Sequence, residues 1–159
     1  MRRIITKRAS KRLGVAVVAL TAIVQLVPYG RGHTNPRSVA EPQWDSPQTR
    51  VLAQRACFDC HSNETRWPAY SRLAPASWLI QHDVSEGRAE LNFSEWQRPQ
   101  EEATNAAGAV REREMPPLAY RLLHNGARLT EQERDALARG LMKTLSASSR
   151  RERRDTASR

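Results

Sequence analysis

Two cysteines and a histidine form a compact motif near the middle of the chain, Cys57-Phe58-Asp59-Cys60-His61. These are the two cysteines of a 159-residue sequence. Two thiols at this spacing can form thioether bonds to the two vinyl groups of a haem, and the adjacent histidine can then bind the iron. The pattern C-x-x-C-H is typical of c-type haem attachment. It predicts one covalently attached haem c, held by Cys57 and Cys60, with His61 as an iron ligand.

Three other kinds of site use the same residue types. A C-x-x-C pair can be a thiol–disulfide redox centre, part of a zinc site or a structural disulfide. The redox pair usually belongs to a strand-rich thioredoxin-like fold, and the sequence has no strand pattern. Zinc needs four ligands, but no second cysteine pair exists. A disulfide would not require His61, so the haem interpretation accounts best for all three residues.

An iron bound by one histidine needs a second ligand or stays open to small molecules. The candidate ligands are Met115, Met142, His82, His124 and His33. A methionine ligand is typical of electron-transfer cytochromes c and raises the reduction potential. Met115 is preferred because Pro116 and Pro117 stiffen its loop, so that a weak ligand is held with little loss of entropy. Met142 is interpreted as packing, and the histidines as surface, core or linker residues.

The elements that position these residues are predicted to be helices. Asp45-Ser46-Pro47 is typical of a helix start, because a capping side chain precedes a proline in the first turn. The helix that begins there runs into Cys57. A second helix is predicted from Pro75 to near Gly87.

The second half of the domain predicts two further helices. Ser94 is the expected cap of a helix that ends near Arg113, and residues 115–117 must form a loop because of their prolines. Thr130 and Glu133 form a capping box for the last helix. Its apolar face consists of Leu137, Leu141 and Leu145. The pattern therefore predicts an all-α, haem-binding domain of about four helices in residues 45–146.

The net charge of +9 is concentrated at the two ends of the chain. Residues 1–12 carry six basic side chains and no acidic one, and a Ser/Arg-rich segment at 147–159 is predicted to be a disordered basic tail. Residues 13–149 hold 15 basic and 15 acidic side chains. Because the middle of the chain is balanced, we expect no nucleic-acid partner.

The basic N-terminus is followed by an uncharged apolar run at residues 13–27. This order is typical of a signal peptide or a signal anchor. The run spans about 22 Å as a helix, less than the hydrocarbon core of about 30 Å, but no small-x-small cleavage site follows it. We expect an uncleaved anchor in residues 1–29, a linker at 30–44 and a haem domain in the periplasm, with a cleaved, soluble periplasmic protein as the alternative.

Longer motifs surround the chemical residues. They are Cys57–Thr65 (CFDCHSNET), Trp67-Pro68, Tyr70-Ser71, Pro75–Leu79 (PASWL), His82-Asp83-Val84, Glu86-Gly87-Arg88, Asn92–Trp96 (NFSEW) and Glu114–Pro117 (EMPP), with Val27–Gly30 and His33–Pro36 after the apolar run. Over residues 13–145 the chain closely resembles the bacterial haem-binding domain family of small cytochrome-c-like proteins. The resemblance implies a cytochrome-c-like helical fold and attachment to the cytoplasmic membrane. It also implies thioether bonds at Cys57 and Cys60, His61 as the proximal ligand and Met115 as the distal ligand.

The resemblance bears on packing at two further positions. The first and last helices of cytochrome c folds cross closely, and Gly140 would suit such a crossing because it lets two backbones approach. Ala69 stands where an aromatic residue is expected, which thins the packing near Trp67.

The preferred function is an electron carrier, because an iron saturated by His61 and Met115 has no place for a substrate. A haem-based sensor or a peroxidase-like enzyme is the alternative, with His82 and Glu114 as a distal acid–base pair. A haem-handling or assembly module is the third. The expected partners are unidentified redox proteins and the cytoplasmic membrane, and an electron-transfer role is favoured over an enzymatic one.

Overall fold

A computed structural model of the protein describes residues 2–100 and 102–157, with side chains for residues 9–100 and 102–147. This part of the chain contains seven α-helices and no β-strand, which confirms the all-α class. Six of the seven begin within residues 45–146, where about four were expected. The α-helices are α1 (Arg2–Val24), α2 (Pro47–Ala56), α3 (Phe58–His61), α4 (Ala76–Glu90), α5 (Ala106–Arg111), α6 (Leu118–Leu123) and α7 (Glu131–Ala157), with short 3₁₀-helices at Ala69–Arg72 and Asn125–Ala127.

The contacts divide the chain into two compact units. The smaller unit is formed by the described residues of 1–34 and 67–83, and the larger one by those of 35–66 and 84–159. The larger unit contains the cysteine motif. The domain boundaries predicted from the sequence remain predictions.

The helix starts predicted at Ser46 and Thr130, both in the larger unit, are confirmed. Ser46 is the N-cap of α2, where its hydroxyl accepts a 3.2 Å hydrogen bond from the Thr49 amide and Pro47 follows in the first turn. At the start of α7 the Thr130 amide donates to the Glu133 carboxylate at 2.9 Å, and the Glu133 amide donates to the Thr130 hydroxyl at 3.2 Å. These bonds satisfy amides that a helix leaves free at its first turn.

The close crossing expected at Gly140 is present. In α7 a Cβ atom added to Gly140 would lie 2.1 Å from Oγ1 and 2.6 Å from Cγ2 of Thr49 in α2. Thr49 is itself buried. Only glycine lets the two helices approach to this distance.

The core of the larger unit lies where α2, α5 and α7 meet. The apolar face predicted for α7 is confirmed, because Leu137, Leu141 and Leu145 are all buried. Phe58 and Phe93 stack in the same cluster, with ring centroids 5.6 Å apart. This core forms the base on which the cysteine motif rests.

The helix predicted from Ser94 to about Arg113 is wrong over most of its length, since only Ala106–Arg111 is helical. Ser94 is fully buried, and its hydroxyl accepts from the Asn63 amide at 3.0 Å while its own amide donates to the Asn92 side chain at 2.9 Å. Such local side-chain bonds compete with a helix, and Pro99 cannot donate a helical hydrogen bond.

Two helices extend beyond their predicted ends. α4 continues through Gly87 to Glu90. The backbone of α7 remains helical to Ala157, where the sequence pattern predicts a disordered tail beyond Ser146. Arginine, glutamate and alanine are good helix formers, and extending an existing helix needs no new nucleation.

In the smaller unit, α1 is followed by Gln25. Its side chain both donates a hydrogen bond to the backbone of Ala74 and accepts one from it. Its Nε2 donates to the Ala74 carbonyl at 2.9 Å, and its Oε1 accepts from the Ala74 amide at 3.0 Å. Gly30 has a φ of +78° and lies against the Ser77 carbonyl. None of the helices in the described ranges is both long enough and apolar enough to cross a membrane.

Candidate functional site

The cysteine motif forms the junction between α2 and α3. Cys57 is at once the C-cap of α2 and the N-cap of α3, and its amide donates to the Ala53 carbonyl at 2.7 Å. The amides of Cys60 and His61 both donate to the Cys57 carbonyl, at 3.1 and 2.8 Å. The single turn of α3 therefore fixes the two sulfurs and the imidazole in one rigid group.

A cavity of about 540 Å³ opens beside this group. Its lining includes Cys57 and His61 on the motif and Met115 on the loop after α5. Apolar walls are formed by Leu91, Phe93, Val110 and Leu141. Binding sites for small molecules and cofactors usually measure about 300–1,000 Å³ and have mostly apolar walls. The cavity thus has the size and the lining of a cofactor site.

The imidazole of His61 is held by two backbone carbonyls. Its Nδ1 lies 2.8 Å from the Gly87 oxygen and 3.1 Å from the Leu91 oxygen. A carbonyl can only accept, so Nδ1 carries the hydrogen and Nε2 carries the lone pair. Metal-binding histidines commonly use this second contact to fix tautomer and ring orientation. Burial lowers the pKa of His61, against the opposing effect of the two carbonyls, and so favours the neutral form that binds a metal.

Gly87 makes this arrangement possible. A Cβ atom at Gly87 would lie 2.7 Å from the carbonyl oxygen of Cys60 and 3.1 Å from its Cβ. The absent side chain therefore lets α4 approach α3 closely enough for the Gly87 carbonyl to reach His61. The sequence pattern places Gly87 near the end of the predicted helix and gives no sign of this role. A glycine inside a helical pattern was the available signal.

Arg88 fastens the same turn of α4 to the chain that follows the motif. Its Nε donates to the Ser62 carbonyl at 2.8 Å, and its Nη2 donates to the Thr65 hydroxyl at 2.9 Å. Burial lowers the pKa of the guanidinium. No role of Arg88 was predicted from the sequence; its two bonds hold the turn of α4 that contains Gly87.

Met115 is brought to the wall of the cavity that His61 also lines. It is half-buried and packs against the core. Its amide donates to the Ala109 carbonyl at 3.1 Å, which ties the loop to α5. The loop expected at residues 115–117 is present, because α5 ends at Arg111 and α6 begins at Leu118.

The other candidate ligands lie outside the lining of this cavity. Met142 is an exposed residue of α7. His124 stacks on Tyr120 with ring centroids 4.1 Å apart. His33 stacks on Trp67 in the smaller unit, to which the exposed His82 also belongs. Among the candidates, the structure brings only Met115 to the cavity beside His61.

Asp59, inside the motif, is the centre of a hydrogen-bond network that was not predicted from the sequence. Its carboxylate is nearly buried and accepts from the Tyr120 hydroxyl at 2.5 Å on one oxygen. The other oxygen accepts from the amide of Arg66 at 3.0 Å and from its Nε at 3.3 Å. Burial and the bond to Asp59 raise the pKa of Tyr120, so its phenol stays protonated and donates.

The thiol environment disfavours a redox pair. Burial raises the pKa of the Cys57 thiol to about 12, with a smaller contribution from Cys60. Reactive cysteines have lowered pKa values, because the thiolate is the nucleophile. A group of three or more histidine, cysteine, aspartate or glutamate side chains suited to a metal ion is absent from the described residues.

The charged residues that line the cavity are acidic. Among the described residues, the charged side chains of the lining are four glutamates, with no lysine or arginine: Glu90, Glu102, Glu112 and Glu114. Any cofactor in the cavity therefore experiences a negative potential from its surroundings.

Comparison with known proteins agrees with this site. The family model described as "Haem-binding domain" matches residues 19–143. The chain belongs to the haem-binding domain family, and its cofactor is haem. No curated protein and no solved structure matches the chain.

Proposed function

We propose that this protein is an electron carrier that holds one haem c through Cys57 and Cys60, with His61 and Met115 as the iron ligands. The proposal goes beyond the family, which identifies the cofactor as haem. The observation that carries it is the shared cavity. The motif sulfur of Cys57, the imidazole of His61 and the thioether of Met115 belong to residues that line the same space.

The donor set fits a low-spin haem iron. His61 offers a neutral nitrogen whose tautomer is fixed by Gly87 and Leu91. Met115 offers a soft thioether on a loop that Pro116 and Pro117 stiffen. A histidine and a methionine together are the ligands of electron-transfer cytochromes c.

Attachment through the cysteines needs no oxidant. The thiol of each cysteine would add across one vinyl double bond, with the sulfur bonding to one carbon and the hydrogen going to the other. Two thioether bonds would form and nothing would be released. Neither Cys57 nor Cys60 forms a disulfide in the described residues, so both sulfurs can take part in this addition.

The bound haem supplies one-electron chemistry, and the chain tunes it. Leu91, Phe93 and Val110 line the cavity with apolar side chains that would shield a haem from water on those walls. The acidic lining favours the more positive, oxidised state, while the Met115 thioether favours the reduced state. If His61 and Met115 both hold the iron, a peroxide or gas would have to displace Met115 before it could bind.

The proposal includes export and tethering. The basic residues 1–12 and the uncharged run at 13–27 support an N-terminal signal anchor, with the N-terminus in the cytoplasm and the haem unit in the periplasm. The cytochrome-c-like fold, redox protein partners and the absence of a nucleic-acid partner belong to the same proposal. Fractionation of cells that produce the full chain tests the tethering, since a cleaved protein would be recovered from the soluble periplasm.

A ligand-replacement experiment tests the function. The full chain and its Met115→Ala variant are produced in a bacterial periplasm with the haem-attachment machinery, and visible spectra are recorded in both redox states. We expect a thioether–iron charge-transfer band in the oxidised protein that is lost in Met115→Ala. Met142→Ala is the matched control and should keep the band, because Met142 is exposed and does not line the cavity.

Two results would redirect the assignment. Covalent haem without the band in the wild-type protein would contradict an electron carrier with these ligands and favour the sensor or peroxidase-like alternative. A band that persists in Met115→Ala would show that another residue is the sixth ligand.

A further inference from the structure

The segment that carries Met115 is held at both ends. Before Met115, the amides of Glu114 and Met115 donate to the Ala109 carbonyl at 3.0 and 3.1 Å. After it, Pro117 is the N-cap of α6, and Tyr120 lies in the first turn of that helix. The Tyr120 hydroxyl then bonds Asp59 at 2.5 Å.

Besides the Tyr120 bond, α6 is held by local contacts: Arg128 donates to the carbonyls of Arg121 and Leu122 at 2.8 and 3.3 Å. No residue of α6 is buried, and Leu118, Leu122 and Leu123 are each more than 60% exposed. Hydrophobic burial, the usual source of helix stability in proteins, therefore contributes little. A polar contact to a fixed partner matters more in such a helix than in a packed one.

Asp59 is a fixed partner. It lies inside α3, between Cys57 and His61, and its side chain is nearly buried. The Arg66 amide and guanidinium hold the oxygen that Tyr120 does not use. The Tyr120 bond thus connects the helix after Met115 to the helix that carries His61.

We propose that Tyr120 is a positioning residue for the Met115 ligand, and that its hydrogen bond to Asp59 holds the thioether segment against the helix that bears His61. This inference rests on the proposed His61 and Met115 ligation. A thioether is a weak ligand, so its bond to iron depends on how firmly the chain holds it. Loosening α6 shifts the equilibrium towards an iron that Met115 has left.

Imidazole is a suitable probe, because it can bind the ferric iron only after Met115 has left. In the haem-loaded full chain, we expect Tyr120→Phe to raise the apparent affinity for imidazole about tenfold to hundredfold, the factor that one charge-assisted hydrogen bond can supply. The substitution keeps the ring stacked on His124. Tyr29→Phe is the matched control, because Tyr29 is 50% exposed. The Tyr29→Phe protein should bind imidazole with the affinity of the wild type.

A double-mutant cycle separates positioning from a general effect on the fold. In a Met115→Ala background there is no thioether to displace, so Tyr120→Phe should leave the imidazole affinity unchanged. An equal increase in both backgrounds would mean that Tyr120 controls access to the cavity and would overturn the proposal. Asp59→Asn removes the charge that Tyr120 contacts and should also raise the affinity for imidazole. This second variant provides the test if Tyr120→Phe accumulates without haem.

The remaining outcomes distinguish this inference from the function on which it rests. Unchanged affinity in both Tyr120→Phe and Asp59→Asn, with a large increase in Met115→Ala, would overturn the role of Tyr120 alone. If Met115→Ala has the spectrum and the imidazole affinity of the wild-type protein, the proposed ligand pair itself is wrong.

Discussion

Replacing Gly87 by alanine tests how the chain controls the His61 imidazole. The new Cβ would lie 2.7 Å from the Cys60 carbonyl oxygen, whereas ordinary contacts begin at about 3.4 Å. α3 and α4 must therefore separate by about 0.7 Å at this point. A shift of that size can lengthen the 2.8 Å contact between His61 Nδ1 and the Gly87 oxygen to about 3.5 Å, beyond the hydrogen-bonding range of about 2.7–3.2 Å.

The expected change in the stability of Gly87→Ala is the sum of one favourable and two unfavourable contributions. Alanine gains about 1 kcal/mol over glycine inside a helix. Overpacking costs about 1–3 kcal/mol, and the weakened hydrogen bond costs about 1 kcal/mol more. We therefore expect the free energy of unfolding of Gly87→Ala to fall by about 1–3 kcal/mol in denaturant titrations.

The same variant should change the haem. The bond from Nδ1 to a carbonyl makes the imidazole a stronger donor, and a stronger donor favours the oxidised iron. Weakening the bond should raise the reduction potential measured by redox titration. Gly126→Ala is the control, because a Cβ there meets nothing within 4 Å. A Gly87→Ala protein with wild-type stability and potential would refute the reasoning.

Three further predictions concern the larger unit. Gly140→Ala should lower the free energy of unfolding by about 2–3 kcal/mol, because its Cβ would lie 2.1 Å from Thr49 Oγ1. Glu41→Gln should cost about 0.5–1 kcal/mol at neutral pH, because Glu41 loses a two-point contact with Arg50 at 2.6 and 2.7 Å. Glu114→Gln should raise the reduction potential by about 20–50 mV, since one negative charge leaves the cavity lining.

The Glu41 prediction includes a pH dependence with a definite sign. Hydrogen bonding to Arg50 is the main cause that lowers the pKa of Glu41 below 4.5 in the folded protein. A carboxyl with a lowered pKa stabilises the fold above its unfolded pKa and loses this contribution as the pH falls through the folded value. The stability difference between wild type and Glu41→Gln should therefore shrink below pH 4.5. A difference that stays constant down to pH 2.5, about two units lower, would contradict this.

The other two predictions have their own controls. Gly140→Ala can be compared with Gly126→Ala, and equal denaturation midpoints would show that the helices do not need a glycine at their crossing. Glu86→Gln is the partner of Glu114→Gln, because Glu86 is exposed and does not line the cavity. A reduction potential that changes equally with both substitutions, or that changes with neither, would contradict a local effect of the lining.

Local signals in the sequence drew attention to Cys57, His61 and Met115, which the structure places on one cavity. The spacing of Cys57, Cys60 and His61 depends on one helical turn, so it is visible without the fold. Met115 was preferred for the prolines that follow it, and the structure places it on the cavity that His61 lines. Whether Met115 binds iron stays a prediction. The capping residues of α2 and α7 are equally local and were predicted correctly.

The sequence could not reveal contacts between distant segments. The carbonyl that holds His61 lies 26 residues further on, and every residue has a carbonyl, so no residue type marks it. The bond between Asp59 and Tyr120 joins residues 61 positions apart. α3 and α6 are too short, at four and six residues, for a periodic pattern to form. The false helix after Ser94 arose because its buried hydroxyl looked like a cap.

The central claim is covalent attachment of one haem, and intact-mass spectrometry of the full chain tests it most directly. The protein is produced with the haem-attachment machinery and unfolded in acid before measurement. We predict the mass of the polypeptide plus one haem, and loss of that added mass in a Cys57→Ser, Cys60→Ser double variant. A wild-type chain that releases its haem on unfolding, or a double variant that keeps the added mass, would contradict attachment through these two cysteines.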